Sequence, residues 1–184
     1  SLHATKVLGT GEGGFVVSTD PALVRRVRMT SNFGIDSTHR ANFAATNAKM
    51  SEYHAAVGHA ALDEWSETRA QWMAVARAYR GAVGGSNRVR FQDGFGETWV
   101  ASTCVLRAAD GAQARIEGAL AAAGIETRHW WGRGAHTHPA TAKFPHTVLP
   151  ATETLADSTF SVPFYRDLDR SEAGRIAEIM LAAV

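Results

Sequence analysis

The sequence predicts a short opening segment of strand, helix and loop, then a long connecting helix, then an α+β domain on an antiparallel sheet. Three observations predict it. A Gly-rich turn at residues 9–14 leads into the apolar run Phe15-Val16-Val17-Ser18-Thr19 and a helix start at Asp20-Pro21. Met50, Tyr53, Val57, Ala60, Trp65, Thr68, Trp72, Val75 and Tyr79 recur mostly three or four residues apart, which marks one helix face. After Gly84-Gly85 the order becomes strand, strand, helix, strand, helix, strand, helix, a pattern that suits an antiparallel sheet with flanking helices. The expected boundaries are 1–49, 50–85 and 86–184.

Each element has a local reason. Phe15 to Thr19 is almost continuously apolar and reads as a short strand buried on both faces. Asp20 can cap a helix, and Pro21 fits the first helical position, where no N–H is needed. Leu23, Val24, Val27 and Met29 form its inner face; Arg25, Arg26 and Arg28 read as a solvated outer face. Asn32-Phe33-Gly34 ends it. Residues 35–49 carry no period and read as a loop. Ser51 and Glu52 open the long helix, which runs to the Gly81–Gly85 region.

Arg88 to Phe91 and Thr98 to Leu106 read as strands joined across Asp93-Gly94. Asp110 caps a helix with Ile116, Ala119, Leu120 and Ala123 inward, and Gly124 closes it. Ile125 to Trp131 is a further strand, and residues 132–149 are irregular. Pro150 opens a short helix, and Phe160-Ser161-Val162 is a strand ended by Pro163. Asp169 and Glu172 stand at capping-box spacing before a last helix with Ile176, Ile179 and Met180 inward.

Composition removes several classes of function. Apolar residues make up 45% of the 184 and charged residues 20%, a globular balance. A formal net charge of +1, with both signs scattered, gives no reason to expect nucleic acid or an anionic membrane as partner. No apolar run is long enough to span a bilayer, and the start does not read as a signal peptide. Cys104 is the only cysteine, so no internal disulfide forms and a cytoplasmic setting is expected. It reads as a small buried hydrophobe.

Among chemical motifs, His136-x-His138, with His129 and His146 nearby, has no cysteine or carboxylate at ligand spacing, so no metal site is assigned. No Gly-x-Ser-x-Gly nucleophile elbow is present. Gly9-x-Gly11-x-Gly13 is too dense for a dinucleotide fingerprint, and no strand precedes it. In Ser1-Leu2-His3-Ala4-Thr5-Lys6 followed by Gly11-Glu12-Gly13-Gly14, a lysine beside a Gly-rich turn suits an amine that bonds a carbonyl compound or pyridoxal phosphate (PLP), although spacing alone favours a solvated lysine near the chain terminus.

Those residues resemble the cofactor-lysine motif of the PLP-dependent nucleotide-sugar aminotransferases, the DegT/StrS family of fold type I. Four further segments resemble family landmarks in the same order. They are Thr46-Asn47-Ala48-Lys49-Met50-Ser51-Glu52 with Ala55-Ala56-Val57-Gly58, Glu126 to Trp131, Leu149 to Glu153, and Ser161 to Tyr165. The resemblance implies an α/β remnant of the PLP-binding large domain over 1–49, and a small C-terminal domain with antiparallel sheet and flanking helices over 86–184. It implies Lys6 as the catalytic, cofactor-linked lysine and proton carrier. Ser1 would bind the cofactor phosphate, and Asn47 the phosphate held by a neighbouring subunit. Arg128, His129 and Trp130 would line the sugar-nucleotide pocket. The implied reaction moves an amino group from glutamate to a keto-sugar nucleotide of dTDP-4-keto-6-deoxyhexose type. Lys49 and Ala48 depart from the family pattern, where arginine and an aromatic are usual, which bears on substrate contacts.

In the family the lysine motif lies in mid-chain. The acid on the cofactor's ring nitrogen, the stacked aromatic and the phosphate-binding helix start all precede it. The expectation is a C-terminal half that is incomplete alone and works as a homo-oligomer, with a separate N-terminal-half chain, or both. The Phe15–Thr19 strand, lacking neighbours, is expected to drive association. The alternative is a non-catalytic remnant or interaction module of the same fold; an unrelated zinc- or ligand-binding domain is the third reading.

Overall fold

The computed structural model describes residues 1–109 and 111–184, and the chain divides into two compact units, Ser1–Ser66 and Glu67–Val184. The Asp110 cap lies outside the described residues.

In the first unit, α1 (Pro21–Thr30) begins as its capping chemistry requires: the Asp20 carboxylate accepts from the Ala22 and Leu23 amides at 2.8 and 3.3 Å. Val24, Val27 and Met29 are half-buried, and the three arginines are exposed. The chain leaves α1 through Phe33 and Gly34, both at positive φ (56° and 73°). A Cβ on Gly34 would fall on the Phe43 carbonyl oxygen, so only glycine fits there. Residues 35–49 form a loop whose stem is closed by the Phe33 amide on Thr46 O (2.9 Å) and the Ala48 amide on Ser31 O (2.9 Å).

Two expectations fail in this unit. Phe15 to Thr19 forms no strand; Phe15, Val16 and Val17 are 67%, 57% and 82% exposed. An apolar run marks a segment suited to pairing but does not supply the neighbour, and among the described residues none pairs with it. The long helix is two. α2 (Glu52–Asp63), capped by Ser51 Oγ on the His54 amide (3.2 Å), stops at Glu64, and α3 (Trp65–Val83) starts there. With no Gly or Pro to punctuate the break, the apolar period runs through it unbroken.

The second unit holds the core. β1 (Val89–Phe91), β2 (Cys104–Ala108) and β3 (Thr159–Val162) form an antiparallel sheet in the order β1-β2-β3, with Val89 opposite Ala108 and Cys104 opposite Val162. Cys104, Leu106 and Ala108 point inward while Arg107 is exposed. Against this face pack Val75, Ala76, Tyr79 and Val83 of α3, Ile116 and Leu120 of α4 (Gln113–Ala122), and Ala173, Ile176, Ala177 and Met180 of α6 (Arg170–Ala182). The Tyr79 hydroxyl, buried among them, donates to Pro163 O at 2.7 Å. Burial pushes the Cys104 thiol pKa well up. Gly124 ends α4 at φ 73°, and Pro150 opens α5 (Pro150–Ala156), both as expected.

Here too the pattern overreaches. Residues 98–103 are not strand, and β2 begins only at Cys104; Phe95 instead folds back into the core, stacked on Phe91 at 5.0 Å. Ile125 to Trp131 makes one bridge, Arg128 to Ser161, rather than a strand. Residues 132–149 are irregular apart from a 3-10 turn at Ala135–Thr137. Asp169 caps α6 through the Ser171 amide (2.7 Å), but Glu172 turns to the Arg175 guanidinium (2.6 and 2.8 Å) instead of closing the capping box.

Candidate functional site

Lys6 stands at the tip of a pinned loop. Residues 2–4 and 10–13 run antiparallel: the Leu2 amide donates to Gly13 O (2.9 Å), the Ala4 amide to Gly11 O (2.7 Å) and the Thr10 amide to Leu2 O (2.8 Å). Thr10 is buried, and its hydroxyl reaches Glu12 O (3.1 Å) and Leu2 O (3.3 Å). The Lys6 amide donates to His3 O (2.9 Å) and closes the reversal. Gly9 lies so near this turn that a Cβ would stand 3.0 Å from Ala4 O. The loop seats on the start of α2: a Cβ on Gly13 would meet the Met50 methyl at 2.7 Å, and one on Gly58 would meet Thr10 Cγ2 at 3.2 Å. Lys6 itself is exposed, and its Nζ makes no hydrogen bond or ion pair among the described residues. Its backbone is held and its amine is unengaged.

Ser1 is exposed, its hydroxyl accepting weakly from the His3 amide (3.4 Å). Asn47 is exposed in the loop stem, bridged to Asn32 through the backbone. Next to it Lys49 is committed: Nζ donates to Asn32 Oδ1 (3.0 Å) and lies 4.5 Å from the centre of the Phe33 ring. At the loop's far turn the Thr38 hydroxyl and amide both donate to Asp36 (2.6 and 2.8 Å). They hold its carboxyl pKa at about 2.

Arg128, His129 and Trp130 lie in the second unit, and the extended backbone sends them to different sides. Arg128 and Trp130 line a cavity of about 330 Å³ with Ser102, Glu126, Phe164 and Tyr165. His129 faces a second hollow beside Gln113, Glu117, Arg133 and Asp157. Arg133 pairs with Asp157 there, and this hydrogen bond holds the Asp157 carboxyl pKa below its usual range. The Arg128 segment is fastened to β3 by reciprocal backbone bonds with Ser161 (3.1 and 2.8 Å). The Ser161 hydroxyl donates to Arg128 O (3.0 Å) and accepts from Trp130 Nε1 (3.0 Å). Sequence reasoning missed Ser161 and Glu117 as parts of this site. For Ser161 a signal existed, a hydroxyl between two apolar residues of a short strand; Glu117 carried none. The His136 and His146 rings lie 5.3 Å apart, tilted at 56°, with Glu153 4.0 Å from His136. Among the described residues no group of three or more His, Cys, Asp or Glu side chains is placed to hold a metal ion.

Comparison with known proteins gives this geometry a family. The profile of the DegT/DnrJ/EryC1/StrS aminotransferase family matches residues 1–181. Protein Rv3402c of Mycobacterium tuberculosis strain H37Rv is 32% identical over 184 residues, covering 96% of this chain and 43% of that protein. The dTDP-3-amino-3,4,6-trideoxy-alpha-D-glucose transaminase of Streptomyces venezuelae is 29% identical, with 97% and 48% covered. The crystal structure of DesI, solved in the presence of its TDP-sugar product, superposes with a TM-score of 0.81 at 29% identity, covering 99% of this chain and 48% of that one. The chain thus spans about half the length of these relatives, and its mixed helical and antiparallel architecture is part of the fold type I aminotransferase fold. With the match running from the lysine loop through α6, the chain belongs to the DegT/DnrJ/EryC1/StrS aminotransferase family.

Proposed function

We propose that this chain carries the lysine-bearing part of a PLP-dependent aminotransferase. The enzyme moves an amino group from glutamate to a keto-sugar nucleotide of dTDP-4-keto-6-deoxyhexose type. The observation that supports it most is the Lys6 amine, unengaged at the tip of a loop whose backbone is fixed on both sides. That arrangement fits a covalent carrier of an aldehyde cofactor: the root is placed by main-chain bonds while Nζ stays available. Lys6 would hold PLP, with the Ser1 hydroxyl and, across a homodimer interface, the Asn47 amide offered to the phosphate. The cofactor would supply the electron sink for charge on the substrate carbon. Lys6 Nζ would serve as the base that moves the proton between the substrate carbon and the cofactor. Arg128 offers a guanidinium, and Trp130 a ring face, to the sugar nucleotide. Polypeptide equivalent to the other half of the family length completes the site, and the cytoplasm is its setting.

Borohydride reduction followed by peptide mass mapping tests the assignment on the chain combined with that other half and PLP. The sequence has only two other lysines, Lys49 and Lys143, so the label is easily placed. The expected result is reduced PLP on Lys6 and loss of the yellow colour in Lys6→Ala. A label on Lys49 or Lys143, or a colourless assembly indifferent to PLP, would overturn the proposal and favour a non-catalytic module.

A further inference from the structure

We infer that Glu117 is a positioning residue that sets the aim of Arg128 and Trp130. The inference rests on the reading of those two side chains as substrate contacts. Three donors converge on this one carboxylate from two parts of the chain. His129 Nε2 lies 2.8 Å from Oε1, the Thr127 hydroxyl donates to Oε1 at 3.0 Å, and Gln113 Nε2 donates to Oε2 at 3.2 Å. Gln113 Nε2 also lies 3.4 Å from His129 Nδ1. With Nδ1 accepting there, the imidazole proton sits on Nε2, directed at Glu117; the network is consistent with one tautomer. Glu117 is itself fixed on α4, whose buried neighbours Ile116 and Leu120 belong to the core.

The consequence follows from alternation along an extended segment. Thr127 and His129 point to α4 and are held by Glu117, while Arg128 and Trp130 point the other way into the 330 Å³ cavity. Opposite α4 the segment is held at one residue, Ser161, through an isolated bridge and the hydroxyl bonds to Arg128 O and Trp130 Nε1, with no further ladder to either side among the described residues. Contacts to one residue on one edge leave the rotation of the extended segment about its own axis weakly defined. Glu117, gripping residues on both sides of Arg128, removes that freedom. Side-chain direction at Arg128 and Trp130 is then set jointly by Ser161 and by a carboxylate that need not touch substrate.

Amide hydrogen exchange and steady-state kinetics on the assembled enzyme test this with Glu117→Ala and Glu117→Gln. Losing the charged acceptor should speed exchange of the Arg128 and Ser161 amides by roughly tenfold, the factor that about 1.4 kcal/mol corresponds to. Exchange at β1–β2 amides should not move. KM for the sugar nucleotide should rise by about the same factor with kcat nearly unchanged, since the lost contacts serve the ground and transition states alike. Glu117→Gln, which keeps an acceptor for Thr127, should fall between. Unchanged exchange at Arg128 and Ser161 overturns the inference. So does faster exchange with an unchanged KM, because the anchor is then structural only. A wild-type assembly that turns over no sugar nucleotide refutes the proposed function instead, and the exchange measurement still decides whether Glu117 holds this segment.

Discussion

Replacing Ser161 by alanine removes two hydrogen bonds at once, the donation to Arg128 O and the acceptance from Trp130 Nε1, both at 3.0 Å. Each is worth about 1 kcal/mol net. Neither deletion leaves a sealed orphan: Arg128 O keeps the Ser161 amide at 2.8 Å, and the Trp130 ring is 40% exposed, so its N–H can turn to water. The loss should therefore total about 2 kcal/mol rather than the larger cost of an unpaired buried group. An internal reference is at hand. Ser158 is also buried, and its hydroxyl makes one bond, to Thr154 O at 2.8 Å; Ser158→Ala should cost about 1 kcal/mol. Thermal unfolding followed by circular dichroism should then show Ser161→Ala melting roughly 4–8 °C below wild type and Ser158→Ala roughly 2–4 °C below it. In parallel, nuclear magnetic resonance of the Trp130 indole N–H should show faster exchange with water in Ser161→Ala alone. Equal destabilisation by the two variants, or an indole proton as protected as in wild type, would refute the idea that Ser161 links the Arg128 segment to Trp130.

Gly34→Ala and Gly124→Ala share a φ of 73°, yet only the first puts a Cβ onto backbone, at Phe43 O. Urea unfolding should show Gly124→Ala costing about 1 kcal/mol and Gly34→Ala clearly more, the excess reporting the close approach rather than the dihedral. The Cys104 thiol, fully buried and with its pKa pushed well up, should resist Ellman's reagent in the folded protein and react at once in denaturant; fast native labelling would contradict its place in the core. Asp36, whose folded pKa of about 2 lies below the usual 3.8, stabilises its turn fully above pH 3.8. That stabilisation should fade as pH falls through about 2. A carboxyl carbon titration with a midpoint near 4 would show that the two Thr38 bonds do not persist in solution.

Signals confined to a few neighbouring residues were the ones legible in the sequence. Asp20-Pro21, Ser51, Gly124, Pro150 and Asp169 each mark an element end through chemistry completed within a turn of chain, and each is found there. What failed depends on distant partners. Glu64 interrupts a helix although the apolar period is continuous, and Phe15 to Thr19 has strand composition without a strand beside it. Phe95, which no sequence pattern singled out, is buried because Phe91, Trp99 and Phe164 surround it, and two of those contacts span few residues while the third spans most of the second unit. At the candidate site the Lys6 loop was visible through its motif. Glu117 was not, since a glutamate on a helix looks like any solvated one until Thr127 and His129 are seen to close on it.

Every member of the hydrophobic cluster lies between Val75 and Met180, and four of the five tryptophans belong to the same unit. A heat-capacity change or an indole emission curve would consequently follow residues 67–184 almost exclusively. The lysine turn is kept in shape by a handful of main-chain bonds and one sequestered threonine. Its opening can thus be tuned by substitutions that leave the melting temperature where it was, so changes in the presentation of the Lys6 amine and changes in global robustness can arise separately in this chain.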